Sequence, residues 1–194
     1  MSIRRWMVLA CLLGLIGLSL RYCVVIVPAD RQELSSQATP QDRDQENAPA
    51  LRVPVEGVRG ADLVDTYSQS REAGQRVHNA IDIPAPRGTP VLAAAPGVVE
   101  KLFQSARGGN TVYIRSPDRL WLYYYAHLDS YAPGLREGMK IEAGSRIGAV
   151  GSTGNASADS PHLHFAINRM ALAQRWFEGE PVNPYPMLVQ SRKN

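Results

Sequence analysis

Five residues carry most of the chemistry that this sequence offers: His78, Asp82, His127, His162 and His164. The chain of 194 residues has only four histidines, and two of them stand one residue apart in "SPHLHFAI" (160–167). In a strand, side chains at i and i+2 share a face, with Cα atoms roughly 6.5–7 Å apart. His162 and His164 therefore point the same way, and Leu163 points into the other layer. Two imidazoles so placed can bind one metal together, or one can bind it while the other faces bound water. His78 opens "HNAIDI", and Asp82 follows four residues on. A straight strand would hold these two about 13 Å apart, too far to share a metal. Pro84 and Pro86 disfavour a helix continuing from here. Shared ligation thus requires the chain to bend near Asn79, a residue type suited to turns. Asp82 sits between Ile81 and Ile83, where an unpaired carboxylate is costly to bury. Metal ligation would satisfy it, as would a buried salt bridge or a turn cap. His127 ends "WLYYYAHL". Alternation places Tyr123, Tyr125 and His127 on one face, where a Tyr-rich strand packed as core is the plainer reading.

A metal held here would have nitrogen and oxygen ligands. Both cysteines, Cys11 and Cys23, lie in the apolar N-terminal stretch, so the rest of the chain has no thiolate to offer. If two His and one Asp shared a zinc ion, one position of its tetrahedron would stay open for water or substrate. Zinc brings the pKa of its water towards ~7 and polarises a carbonyl. The sequence has no HExxH, so no helical glutamate base is indicated. A histidine outside the ligand set would take the proton or hold the developing oxyanion.

These side chains need a rigid frame, and the composition points to a β-rich one. Gly (16) and Pro (14) recur between short apolar runs, which favours strands and turns over a helical bundle. Strands are expected at 80–83, 90–94, 97–103, 110–116, 120–128, 146–150 and 162–167. Turns are expected at "PAPRGTP" and "ARGGN", and short helices at 61–70 and 173–180. The loop "GSTGNASADSP" (151–161) runs directly into the paired histidines, a common place for function. The expected class is all-β, one compact, mainly antiparallel domain over residues 55–190 with short flanking helices.

The N-terminus reads as an address. Arg4 and Arg5 precede an apolar run from Trp6 to Leu20. As a helix that run is about 22 Å long, short of the roughly 30 Å hydrocarbon core. Continued through Arg21 to Val27 it suffices to span, with Arg21 snorkelling. Residues 1–27 are expected to be a membrane helix acting as signal anchor, lying in the inner membrane through residues 6–27; a signal peptide cut after Ala29 is the alternative. Either route exports the rest. Residues 28–54, polar and without apolar periodicity, read as a disordered linker. From Asp30 on, 18 basic residues balance 18 acidic ones. That balance argues against a nucleic-acid partner, which needs a basic stripe on the folded domain.

The ordered set His78–Asp82, "YYAHL" and "HLHF", with "DIPAPRGTPVLAAAPGVV" and "EGMKIEAGSRIGAVGSTGN" between, resembles the lysostaphin-type zinc metallopeptidases, a family of peptidoglycan endopeptidases. The resemblance covers about residues 56–186. It implies a duplicated-hybrid-motif-like β fold and one Zn2+ ion bound by His78, Asp82 and His164. It also implies that His127 and His162 are catalytic and that the substrate is the peptide stems of peptidoglycan. Two positions depart from the family pattern. Ala80 stands where glycine is usual and adds a methyl near the bend, and Ala166 stands where glutamate is frequent.

Four readings of function follow. The first is an exported zinc endopeptidase hydrolysing cell-wall cross-links. A membrane-tethered enzyme without a wall-binding module suits a thin Gram-negative wall reached from the periplasm, and D-alanyl–diaminopimelate bonds. The second is a non-catalytic relative that activates another wall hydrolase; the intact ligand set argues against it. The third is a biotinyl- or lipoyl-type carrier with Lys140 modified, which leaves the histidines unexplained. The fourth is a cupin-like barrel, which lacks its nearby glutamate ligand in "HLHFAINRM".

Overall fold

The computed structural model describes residues 50–71, 74 and 76–190, all within the unit Pro40–Asn194. The expected anchor at residues 6–27 and nearly all of the expected linker lie outside the described residues. Among the described residues no helix is long and apolar enough to cross a membrane.

The strands run in chain order as β1 (Ser70–Arg71), β2 (Arg76–Val77), β3 (Ile81–Pro84), β4 (Pro90–Leu92), β5 (Gly97–Ser105), β6 (Gly109–Arg115), β7 (Trp121–Tyr131), β8 (Lys140–Ile141), β9 (Arg146–Val150), β10 (His162–Arg169) and β11 (Glu180–Val182). β1 and β2 form a small hairpin. The other nine make one sheet with the path β11-β10-β7-β6-β5-β8, to which β3 adds on β10, and β9 on β7 and β4. Every pairing is antiparallel. Each of the seven expected strands is present within a few residues of its expected ends, and the fold is mainly antiparallel β as expected.

Period-two alternation decides which face is core. Leu163, Phe165 and Ile167 of β10, Tyr123 and Tyr125 of β7, Val112 and Ile114 of β6 and Ile81 and Ile83 of β3 form one buried cluster. The residues between them, such as Asp82, Tyr124 and His164, look the other way into a cleft. Tyr125 also satisfies its hydroxyl in the core, as acceptor for the Ala94 amide at 2.9 Å. Where β5 begins, a Cβ on Gly97 would lie 2.4 Å from the Arg115 carbonyl oxygen; only glycine lets the two strands meet so closely.

Three expectations need correction. The helix expected over 61–70 is a single 3-10 turn, Gly60–Asp62, ended when Leu63 turns extended. The helix expected over 173–180 is a run of turns. Its acid is used locally, since the Arg175 amide donates to Glu178 at 2.7 Å, and the helix forms later, as α1 (Tyr185–Val189), behind Pro184. Packing with the domain also includes residues before 55. Leu51 is fully buried in the core, and the Arg52 amide donates to Ala94 at 2.8 Å. The last residues assigned to the linker are therefore part of the domain. Lys140, the modified residue of the carrier reading, is exposed. It lies within β8, opposite Val98.

Candidate metal centre

β10 brings the ligand candidates together because it pairs with β3 and β7 over the same residues. His164 stands opposite Asp82 of β3 and opposite Ala126 of β7. His78 lies in the three-residue break between β2 and β3, with a bend at Ala80. The break folds the imidazole back over Asp82, as shared ligation requires. Ala80 is buried, and it is absent from the non-glycine residues with positive φ. Its extra methyl therefore costs no backbone strain at the bend. Thr66 fastens both partners. Its carbonyl accepts from His78 Nδ1 at 2.8 Å, and its Oγ1 accepts from the Asp82 amide at 3.0 Å.

The three donor atoms form a regular triangle. His78 Nε2 lies 3.1 Å from Asp82 Oδ1, His164 Nδ1 lies 3.1 Å from the same oxygen, and the two nitrogens are 3.1 Å apart. A tetrahedral zinc ion with bonds of about 2.0–2.1 Å separates its ligands by about 3.3–3.4 Å. The donor set and its dimensions thus fit zinc with only a slight expansion. The tautomer fits as well. A carbonyl can only accept, so His78 carries its hydrogen on Nδ1 and leaves the Nε2 lone pair for the metal. Burial works to raise the Asp82 pKa. The His164 and His78 imidazoles beside it outweigh this and hold the carboxyl well below the usual carboxylate range. Burial lowers the pKa of His164, against the opposing pull of Asp82.

His127 and His162 complete the site without joining the triangle. Alternation fails at His127. Between β6 and β7 the register steps from Asn110↔Leu128 to Val112↔Tyr125, three residues against two. This bulge gives His127 a φ of 60° and sends its amide to the Gly108 carbonyl at 2.8 Å. His127 is thereby turned off the core face of Tyr123 and Tyr125 onto the cleft face of Tyr124. Bulges of this kind re-aim side chains next to functional sites. The ring centroids of His127 and His162 are 5.0 Å apart, and those of His127 and His164 5.5 Å. His127 Nδ1 donates to the Thr153 carbonyl at 2.8 Å; His162 Nδ1 donates to the Ser160 carbonyl at 2.8 Å. These contacts place a hydrogen on Nδ1 of each ring. Burial lowers the His127 pKa to about 4, opposed in part by the Thr153 carbonyl. His162 Nε2 lies 3.8 Å from Asp82 Oδ1.

All five residues line one cleft of about 430 Å³, together with Tyr124, Arg76, Arg107, Asn155 and Ser157. The loop 151–161 supplies the carbonyls that hold both outer histidines. Three contributors were invisible in the sequence: the carbonyls of Thr66, Thr153 and Ser160. Any residue type supplies a carbonyl, so composition gives no signal for them. His127 was grouped with Tyr123 and Tyr125 on the core face only because the bulge was not foreseen.

Residues 76–184 match the model of Peptidase family M23. The chain belongs to this family. It is 40% identical over 126 residues to DD-carboxypeptidase/endopeptidase Mpg of Neisseria meningitidis, covering 61% of this chain and 26% of that one. It is 34% identical over 140 residues to the murein hydrolase activator NlpD of Escherichia coli, covering 72% of this chain and 31% of that one. It thus spans a third or less of the length of either relative. Among solved structures, the catalytic domain of the M23 protein EnpA from Enterococcus faecalis superimposes with a TM-score of 0.51 at 30% identity, covering 66% of this chain and 92% of that one. The M23 peptidases are thus its relatives in sequence and in fold.

Proposed function

We propose that the chain is a zinc-dependent endopeptidase that hydrolyses peptide cross-links of peptidoglycan, with the catalytic domain exported to the periplasm. One observation carries the catalytic reading: a zinc-sized triangle of His78, Asp82 and His164 with two further imidazoles, each locked by its Nδ1 hydrogen, facing the same cleft. A protein retaining only the fold for binding has no need of that arrangement.

His78 Nε2, Asp82 Oδ1 and His164 Nδ1 would hold the ion. When bound, zinc supplies a polarised scissile carbonyl and a water of lowered pKa. The remaining work falls to the chain. His127 is neutral at neutral pH because burial depresses its pKa to about 4, so its Nε2 is available to accept a proton. His162 presents Nε2 from the other side, 3.8 Å from Asp82 Oδ1. A proton taken by this pair can be returned to the leaving amine. The Thr153 and Ser160 carbonyls keep both rings in the required tautomer throughout. Ordering these groups in advance avoids their reorganisation during reaction.

The apolar run at residues 6–27 supports export. The domain would be held at the inner membrane, or released into the periplasm if the segment is cleaved. D-alanyl–diaminopimelate cross-links are the proposed bonds, since the Neisseria relative is named a DD-carboxypeptidase/endopeptidase. The test is to incubate the zinc-loaded chain with purified sacculi and identify released muropeptides by mass spectrometry. Cross-linked dimers should disappear, and His164→Ala should leave them intact. Persistence of dimers with zinc bound would favour the activator reading, which the likeness to NlpD keeps in view.

A further inference from the structure

On the cleft face of the sheet, aromatic rings form a row at right angles to the strands. His164 stands on β10, Tyr124 on β7, Tyr113 on β6 and Phe103 on β5, which are successive neighbours in the sheet. The centroid separations are 5.9 Å from His164 to Tyr124 and 4.6 Å from Tyr124 to Tyr113. Trp176 then lies over the far end, 4.8 Å from Tyr113 and 5.2 Å from Phe103. It is delivered by the long β10–β11 connection, whose last strand pair is Arg169↔Glu180. Arg115 holds that connection down, donating to the Gln174 carbonyl at 3.2 Å. Phe103 and Phe177 at this end are exposed at 39% and 55%.

Core packing does not require this row. Val112, Ile114, Tyr123 and Tyr125 serve the core from the opposite face of the same strands. The row begins inside the catalytic cleft, since Tyr124 lines it, and runs out of it across the sheet. The rings combine apolar faces with Tyr hydroxyl and Trp N–H edges, a chemistry that suits amphipathic partners. A pyranose ring is such a partner: its C–H face stacks on an aromatic ring while its hydroxyls bond at the rim. We infer that the row Tyr124–Tyr113–Trp176–Phe103 is a subsite for the sugar rings of a glycan strand whose attached peptide occupies the cleft. This rests on the peptidoglycan reading above. Cross-link peptides are covalently joined to glycan, so a surface continuous with the cleft is where the sugars must pass.

The test separates sugar binding from hydrolysis. Glycan strands freed of all peptides by amidase digestion are titrated calorimetrically into the purified full chain. The wild type should bind equally with and without a chelator, because the subsite rings Tyr124, Tyr113, Trp176 and Phe103 are not metal ligands. Trp176→Ala and Phe103→Ala should each weaken binding about tenfold, with Trp176→Phe largely restoring it. Thermal midpoints identify any variant that has lost its fold, and the second variant then decides. In parallel, the ratio of kcat/KM on intact sacculi to that on glycan-free cross-linked peptide dimers should fall about tenfold in Trp176→Ala. No binding of bare glycan by the wild type overturns the inference. Undiminished binding by both alanine variants does so too. Loss of binding to phosphatidylethanolamine–phosphatidylglycerol vesicles, with glycan binding intact, would identify a lipid surface instead and also overturn it. A chain that binds glycan but leaves cross-links intact refutes the endopeptidase reading alone.

Discussion

His127 and Thr153 are joined by a single 2.8 Å hydrogen bond from the imidazole Nδ1 to the backbone carbonyl. That bond ties the bulge of β7 to the loop 151–161. The loop itself is seated on the β5–β6 turn and the start of β6: the Asn155 amide donates to the Arg107 carbonyl at 3.0 Å, and the Thr153 hydroxyl accepts from the Asn110 amide at 3.0 Å.

Gly154 is what allows this seating. Its φ is +74°, and a Cβ there would lie 2.3 Å from the Gly109 nitrogen and 2.4 Å from the Arg107 oxygen. Gly154→Ala should destabilise the domain by about 1–3 kcal/mol. It should also lower kcat at least about tenfold by displacing the Thr153 carbonyl. Zinc content, set by residues elsewhere, should stay at the wild-type value. Denaturant titration, kinetics on cross-linked dimers and metal analysis read the three quantities. Loss of zinc together with activity would show that the loop supports the whole site instead.

The depressed pKa of His127 makes stability depend on pH. The ring titrates near 4 in the fold and near ~6.5 in the unfolded chain. Between those values the unfolded state binds more protons, so stability rises with pH. The contribution is full above about 6.5 and is lost as pH falls towards 4. In the metal-free chain, the unfolding free energy of the wild type should therefore fall more steeply over this window than that of His127→Gln. Parallel curves for the two proteins would mean that the ring is not desolvated.

Much of this was legible in the sequence because burial and alternation leave regular marks. The seven strands show as apolar runs between Gly, Pro and Asn. His162 and His164 keep the period of two, so their common face could be read directly. The His78–Asp82 contact could be stated only as a demand for a bend, since nothing local to Asn79 and Ala80 dictates its direction. His127 was misplaced because a bulge adds one residue without a composition signal. The 173–180 stretch looked helical by content. Tertiary contacts overrode that local preference: Trp176 stacks on Tyr113 and Phe103, and Arg115 takes the Gln174 carbonyl.

Asp82 bridges both ligand imidazoles through one oxygen, so Asp82→Asn should remove the anionic ligand while keeping the shape. The wild type should gain about 2.7 kcal/mol of stability when zinc is supplied at a hundred times its Kd. The variant should gain almost none. Thermal unfolding with and without a chelator measures the difference. Equal zinc stabilisation of both proteins would place the ion elsewhere.

Arg115 is the buried charge that matters most outside the site. Its side chain is 3% exposed and pairs with Glu100 through two nitrogens, across the β5–β6 pair and close to the bulge between Val99 and Lys101. The same guanidinium fixes the Gln174 carbonyl of the connection that carries Trp176. Removing one partner of such a pair leaves a buried charge uncompensated. Glu100→Ala should therefore cost about 3–5 kcal/mol. Replacing both residues, as Glu100→Leu with Arg115→Met, should recover much of that loss, because the desolvation penalty of the pair disappears with it. The double variant still lacks the donor to Gln174, so its 170–179 connection should exchange amide hydrogens faster than the wild type. Zinc binding should match the wild type, since neither residue lines the cleft. Hydrogen exchange by mass spectrometry, set beside denaturant curves, tests both halves. Full protection of the 170–179 amides in the double variant would show that the aromatic stack alone holds the connection in place.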